Sequence, residues 1–142
     1  MTACKFYFFD IGVVNGLLRR SALAEATKDY GSALEQYIYQ ELRAYISYHR
    51  KDFTLEYWRS VDKYEVDFVI YKDLKTIYAI EVKATKNPRP KDYSGLKKLS
   101  AELRLTKQII VCLTPQNRLE ESGIEVITIY DFLYSLWSHQ IF

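Results

Sequence analysis

The hydrophobic pattern of this chain predicts an α/β fold, a mixed β-sheet flanked by α-helices. Three observations carry that expectation. Strand-like segments recur at 53–59, 64–71, 76–83, 108–113 and 124–129, either alternating or continuously apolar. Helical spacing of apolar residues appears at 31–48, at 92–104 and from Asp131 onward. The resulting order of helix, three strands, helix, strand, strand, helix suits a sheet covered by helices.

Phe6 to Phe9 is a short apolar segment ended by Asp10, whose carboxylate is placed to cap a helix running through Leu18. Residues 19–30 are polar and read as a loop. Gly31-Ser32 then opens a helix to about Tyr48. At about 100° per residue, Leu34, Ile38, Leu42, Tyr45 and Ile46 share one arc, and Glu35 falls inside it. A carboxylate facing a core is costly without compensation, so Glu35 requires a metal, a lysine or backbone donors. The plainer alternative is a basic side chain at the protein edge. Glu41 lies at the margin of the arc.

Residues 53–59 alternate weakly, and the next two strands are joined through Lys72-Asp73-Leu74-Lys75. Tyr64, Val66, Phe68 and Ile70 are apolar, which by strand alternation puts Asp67 on the opposite face. In the following strand Glu81 and Lys83 share one face and Val82 takes the other. Asn87-Pro88-Arg89-Pro90 continues neither a ladder nor a helix, so it is a loop that leaves Lys83 at a strand terminus. Tyr93, Leu96, Leu99 and Leu103 mark the next helix. The continuous apolar run from Ile109 to Leu113 predicts a strand covered on both faces. A last strand precedes Asp131, the expected cap of a terminal helix carrying Phe132, Leu136 and Trp137.

Length and composition narrow the function classes. The 142 residues suit one domain, 1–142, with a substantial core. A hydrophobic fraction of 49% beside 27% charged residues reads as globular. No apolar run approaches the roughly 20 residues of a membrane span, and a secretion-signal pattern is lacking, so a cytoplasmic protein without membrane association is expected. Cys4 and Cys112 lack metal-type spacing and read as buried free thiols. His49 and His139 are too few and too scattered for a zinc site or a Ser/His/Asp triad. The net charge is only +2, yet residues 72–107 hold ten Lys/Arg against four Asp/Glu. That basic stretch suits a phosphate backbone, and also an ordinary solvated helix face. Most of the thirteen tyrosines and two tryptophans read as packing residues. Tyr57, Trp58 and Arg59, just before the hairpin, remain candidates for base stacking.

The chemistry-bearing pattern is Glu65-Val66-Asp67 at one strand and Glu81-Val82-Lys83 at the next. Two acids and a lysine on neighbouring strands form an oxygen-ligand site for a hard divalent cation, with an ammonium beside it for a water or a phosphate. Short acid-x-lysine strings also occur on solvated strand faces.

These residues resemble the signature of the PD-(D/E)xK superfamily, the restriction-endonuclease-like phosphodiesterases, with Val66 in place of the proline. The series Lys5-Phe6-Tyr7-Phe8-Phe9-Asp10-Ile11-Gly12, Gly31-Ser32-Ala33-Leu34-Glu35, Glu41-Leu42, Tyr57-Trp58-Arg59, Glu65 to Ile70 and Ile80 to Lys83 is similar to the carboxy-terminal domain found behind AAA-type ATPase domains in prokaryotic proteins. The resemblance implies a restriction-endonuclease-like mixed sheet with an α-β-β-β-α-β core. It implies Mg²⁺ or Mn²⁺ held by Asp67, Glu81 and the carbonyl of Val82, Lys83 polarising the attacking water, and Glu35 as a further catalytic acid. The implied activity is a metal-dependent nucleic-acid phosphodiesterase acting on DNA before RNA. The alternatives are an inactive module of the same fold, used for DNA binding or for docking to an ATPase domain, and a structural domain whose acids pair with Lys83. No Gly-x-x-x-x-Gly-Lys-Ser/Thr string occurs, so this chain is expected to be a module without the ATPase half. For the acids to share a face, the two hairpin strands must pair with Asp67 opposite Glu81 or Ala79, because a one-residue slip inverts every side chain.

Overall fold

The computed structural model of the chain describes residues 5–19, 23–25 and 27–142. Cys4 and parts of the 19–30 loop lie outside these. The described elements are α1 (Ile11–Leu17), α2 (Lys28–Tyr48), β1 (Thr54–Arg59), β2 (Glu65–Tyr71), β3 (Ile77–Lys83), a 3₁₀ turn (Pro90–Tyr93), α3 (Ser94–Glu102), β4 (Lys107–Cys112), β5 (Arg118–Leu119), β6 (Glu125–Thr128) and α4 (Ile129–Trp137). They build a six-stranded mixed sheet in the order β1-β2-β3-β4-β6-β5. The first three strands pair antiparallel, whereas β4 lies parallel to both β3 and β6.

Several local expectations hold for local reasons. Asp10 caps α1 by accepting from the Val13 N–H at 3.0 Å. The β2–β3 turn closes through Asp73, which accepts from the N–H groups of Lys75 and Thr76 at 2.7 and 2.8 Å. Phe68 pairs with Ile80 and Val69 with Ala79, the register that sets Asp67 opposite Glu81. Cys112 is a buried free thiol inside β4.

Other boundaries differ. The helix expected from Gly31 starts at Lys28, because Thr27 caps it by accepting from the Tyr30 N–H. At the other end of the chain, Thr128 rather than Asp131 caps α4. Thr128 accepts from the Asp131 N–H at 3.0 Å and donates its hydroxyl to the Asp131 carboxylate at 2.9 Å. The Asn87–Pro90 loop tightens into the 3₁₀ turn, with Pro90 at its first position, where a missing N–H costs nothing. The two-residue strand β5 is too short to leave a periodic signal.

Both faces of the sheet are covered. α2 and α4 pack Leu34, Ile38, Leu42, Tyr45, Phe132 and Leu136 against Phe68, Ile70, Ile80 and Val82. On the opposite face α3 packs Leu96 and Leu99 against Val66, Val69, Ile77 and Ala79. Val66 therefore leaves the face of Phe68 and Ile70 that simple alternation assigned to it. The cause is a β-bulge: Glu56 pairs with Val69 but Trp58 with Val66, so β2 carries one residue more than β1 between those pairs, beside Asp67.

His49 and His139 also depart from expectation. Ninety residues apart, they meet edge to face with ring centroids 4.5 Å apart, and the Tyr45 hydroxyl lies 2.8 Å from His139 Nδ1. A metal cluster does not follow, since no group of three His, Cys, Asp or Glu side chains among the described residues is placed to hold an ion.

α3 approaches the start of β2 so closely that a Cβ on Gly95 would lie 1.9 Å from the Glu65 carbonyl oxygen. Backbone cannot yield as a flexible side chain can. Gly95→Ala should therefore cost on the order of 2 kcal/mol or more, measured as a lowered urea midpoint, with Ser100→Ala on the exposed side of α3 as a near-neutral control.

Candidate metal and phosphate site

The hairpin strands part beyond Phe68 and Ile80, and the two acids stand at that point. In place of ladder bonds, the Val82 N–H donates to Asp67 Oδ2 at 2.9 Å and the Asp67 N–H donates to Glu81 Oε2 at 3.3 Å. Each carboxylate thus satisfies a buried donor that the diverging strands leave unpaired. Both side chains are buried, each residue 6% exposed. Lys83, the last residue of β3, pairs with Glu81 Oε1.

Glu35 reaches the site from α2 through Lys5. The Lys5 ammonium lies 2.8 Å from Glu35 Oε1 and 2.5 Å from Asp67 Oδ1. It also stands over the Tyr57 ring, 4.6 Å from its centroid. The Tyr7 hydroxyl donates to Glu35 Oε1 at 2.6 Å. Glu35 and Asp67 accordingly bond one ammonium nitrogen and stand within two hydrogen-bond lengths of each other. The compensation that a core-facing Glu35 requires is a lysine and a tyrosine. Sequence reasoning assigns Lys5 and Tyr7 no role, and their only signal is their place at the head of the series that carries the family resemblance.

Three carboxylates therefore meet two ammoniums, and the electrostatics reflect the imbalance. Burial first, then the neighbouring Asp67 charge, raises the Glu81 carboxyl to about 8, although the Lys83 pairing pulls the other way. For Lys5, burial alone would lower the pKa, but Asp67 and Glu35 outweigh it and the ammonium is held well above its usual range. Lys83 is raised likewise, its burial outweighed by Glu81, Asp67 and Asp92. Burial and the Glu35 carboxylate push the Tyr7 phenol far upward, so it remains a donor.

The donor set is all oxygen, which suits a hard cation and not a soft one. Its fit to a positive ion rests on Lys5, a tethered cation that two of these carboxylates already bond. As placed, these three carboxylates do not form a group that holds an ion, and Asp67, Glu81 and Glu35 could serve as ligands only once an ammonium withdraws. Val82 spends its N–H on Asp67, which brings its peptide next to the acids. Beside Lys83 a groove of about 500 Å³ is lined by Lys86, Arg89 and Lys91, with Asp92 the one acid. The aromatics kept open for stacking are engaged: Trp58 packs against the α3-side core, Tyr57 faces Lys5, and Arg59 pairs with Glu65 at 3.2 Å.

A carboxyl whose pKa is higher folded than unfolded binds its proton more tightly when folded. Stability from that proton is present below the ordinary carboxylate pKa and is lost as pH rises to about 8. In metal-free buffer, denaturant unfolding should show stability falling by on the order of 1–3 kcal/mol between about pH 5 and 8. Glu81→Gln should flatten that slope, and an unchanged slope would refute the raised carboxyl.

The model of a protein family described as a domain of unknown function, DUF4143, matches residues 30–132. That span holds Glu35, Asp67, Glu81, Lys83 and the basic groove, and leaves Lys5 and Tyr7 outside it. No curated protein and no solved structure matches the chain. With the match covering well over half of its length, the chain belongs to the DUF4143 family.

Proposed function

We propose that the chain is a metal-dependent nucleic-acid phosphodiesterase domain of the restriction-endonuclease-like type. The observation that carries this reading is the gathering of three carboxyl groups, Glu35, Asp67 and Glu81, against only two ammoniums, Lys5 and Lys83, in a largely buried site. A hard divalent cation, Mg²⁺ or Mn²⁺, suits these oxygen donors. Asp67, Glu81 and the Val82 carbonyl would hold it, and the chemistry it would supply is Lewis-acid stabilisation of charge on a phosphate.

The chain's own groups do the rest. Lys83, at the strand terminus beside the acids, orients a water for in-line attack and places positive charge near the developing dianion. Glu35, on the α2 side, positions a water or a second ion. Lys86, Arg89 and Lys91 line the groove that leads away from Lys83, where a phosphate backbone, DNA before RNA, would lie. The order α2-β1-β2-β3-α3-β4 is the core order of the PD-(D/E)xK superfamily and supports the same reading.

One observation favours a second reading, an inactive module for binding DNA or docking to an AAA-type ATPase domain. Lysines and backbone N–H groups already satisfy the acids, an arrangement that needs no ion.

Cleavage assays separate the readings, and a salt titration tests the groove common to both. Lys83→Ala should reduce cleavage in Mn²⁺ by about 10²-fold or more while leaving Mn²⁺ binding largely intact, whereas Asp67→Ala should remove both. Binding without cleavage by wild-type protein on single-stranded, duplex and branched DNA would favour the module. Replacing Lys86, Arg89 and Lys91 together by Ala should weaken duplex binding and shrink the slope of log K against log salt by roughly 2–3.

A further inference from the structure

The carboxylate oxygens are not equally available to a ligand. Asp67 Oδ2 accepts the Val82 N–H and Glu81 Oε2 accepts the Asp67 N–H, bonds that belong to the backbone where the strands part. Asp67 Oδ1 carries only a side-chain cation, the ammonium of Lys5, which also bonds Glu35. A cation approaching Asp67 without breaking the sheet must therefore take the oxygen that Lys5 holds. Two positive charges bonded to that oxygen would repel strongly at the reduced dielectric of a partly buried site.

Lys5 is carried on a segment outside the helices and strands. Residues 5–9 belong to no helix or strand, and among the described residues no backbone–backbone hydrogen bond ties them down. Side chains alone hold them. Tyr7 bonds Glu35 and stacks on Tyr39 with ring centroids 4.2 Å apart, while Gln36 and Gln40 donate to the Phe8 carbonyl at 3.1 and 2.6 Å. Phe6 and Phe9, 82% and 80% exposed, add little anchorage. The contacts are few, and one of them, the Tyr7 hydroxyl, shares Glu35 with the ammonium, so loss of Lys5 from the site disturbs part of the hold on the segment.

We propose that Lys5 is a tethered cation holding Asp67 Oδ1, the oxygen that a divalent ion at Asp67 and Glu81 needs, and that such an ion binds only by displacing Lys5 together with residues 5–9. The proposal rests on the metal-site reading above and specifies how the site is regulated: occupancy by ion and docking of the amino-terminal segment exclude each other. The ammonium neutralises the acids in the ion-free state, which keeps the fold intact at the cost of ion affinity.

Calorimetric titration of Mn²⁺ into wild type, Lys5→Met, Lys5→Arg and Asp67→Ala tests this, with trypsin cleavage after Lys5 followed in parallel. Removing a resident competitor should raise apparent affinity by the factor it withheld, so Lys5→Met should bind Mn²⁺ about tenfold more tightly or better. Lys5→Arg, which retains the competing charge, should not. In wild type, Mn²⁺ should accelerate cleavage of the Lys5–Phe6 bond, since trypsin needs that side chain free. Wild-type binding with Lys5 still protected, or equal affinity in Lys5→Met, would overturn the competition while leaving the metal site standing. No Mn²⁺ binding by wild type or by Lys5→Met would overturn both readings. Should Lys5→Met fail to fold, the protease arm on wild type and titration of Gln40→Ala, which loosens the segment without touching the acids and should also tighten binding, decide the matter.

Discussion

Where β2 and β3 part, two backbone N–H groups lose their partners inside the protein, and two carboxylates supply them. The Val82 N–H to Asp67 and the Asp67 N–H to Glu81 form a reciprocal pair of side-chain-to-backbone bonds that ends the ladder. An unpaired buried donor costs on the order of 1–3 kcal/mol, so this pair stabilises the end of the hairpin. It also fixes both acids in place before any ligand arrives. The bulge in β2 belongs to the same arrangement, because the extra residue lets Val66 turn to the α3 face while Phe68 keeps to the α2 face. Gly95, pressed against the Glu65 carbonyl, holds α3 over the start of the same strand.

Burying two acids at one point creates an electrostatic demand that the remaining contacts answer. Lys83 answers from the strand itself, two residues along from Glu81, and Lys5 answers from a distant segment by bridging Asp67 to Glu35. The answer is incomplete by one charge, and the raised Glu81 carboxyl expresses the remainder as affinity for a proton. Such perturbed groups cluster at functional sites and also occur in structural ion-pair networks. Through Lys83 the cluster adjoins a groove whose lining is basic, at the end of a strand and next to a proline-bounded loop.

Much of the fold was legible in the sequence. Alternation located β1, β2 and β3, the continuous apolar run located β4, and 3.6-residue spacing located α2 and α3, because these patterns record burial against neighbours on one face. The register that sets Asp67 opposite Glu81 was anticipated as well, from the requirement that the two acids share a face, which a one-residue slip would break. The misses were local competitions between equivalent caps. Thr27 displaced Gly31 as the start of α2, and Thr128 displaced Asp131 at α4. Hydroxyl and carboxylate caps stabilise a helix start to similar extents, so composition does not choose between adjacent candidates.

The sequence by itself determined the element order, the sheet-and-helix class, the placement of Asp67, Glu81 and Lys83 on adjoining strands, and the core-facing position of Glu35. All of these follow from spacing along one element or between consecutive ones. Only the tertiary structure decided what compensates Glu35, which cation sits on Asp67, that Val66 changes faces, and that His49 meets His139. Lys5 and Asp67 are 62 residues apart. Contacts of that kind depend on how α2 and the amino-terminal segment dock on the sheet, and no periodicity along the chain encodes a docking geometry.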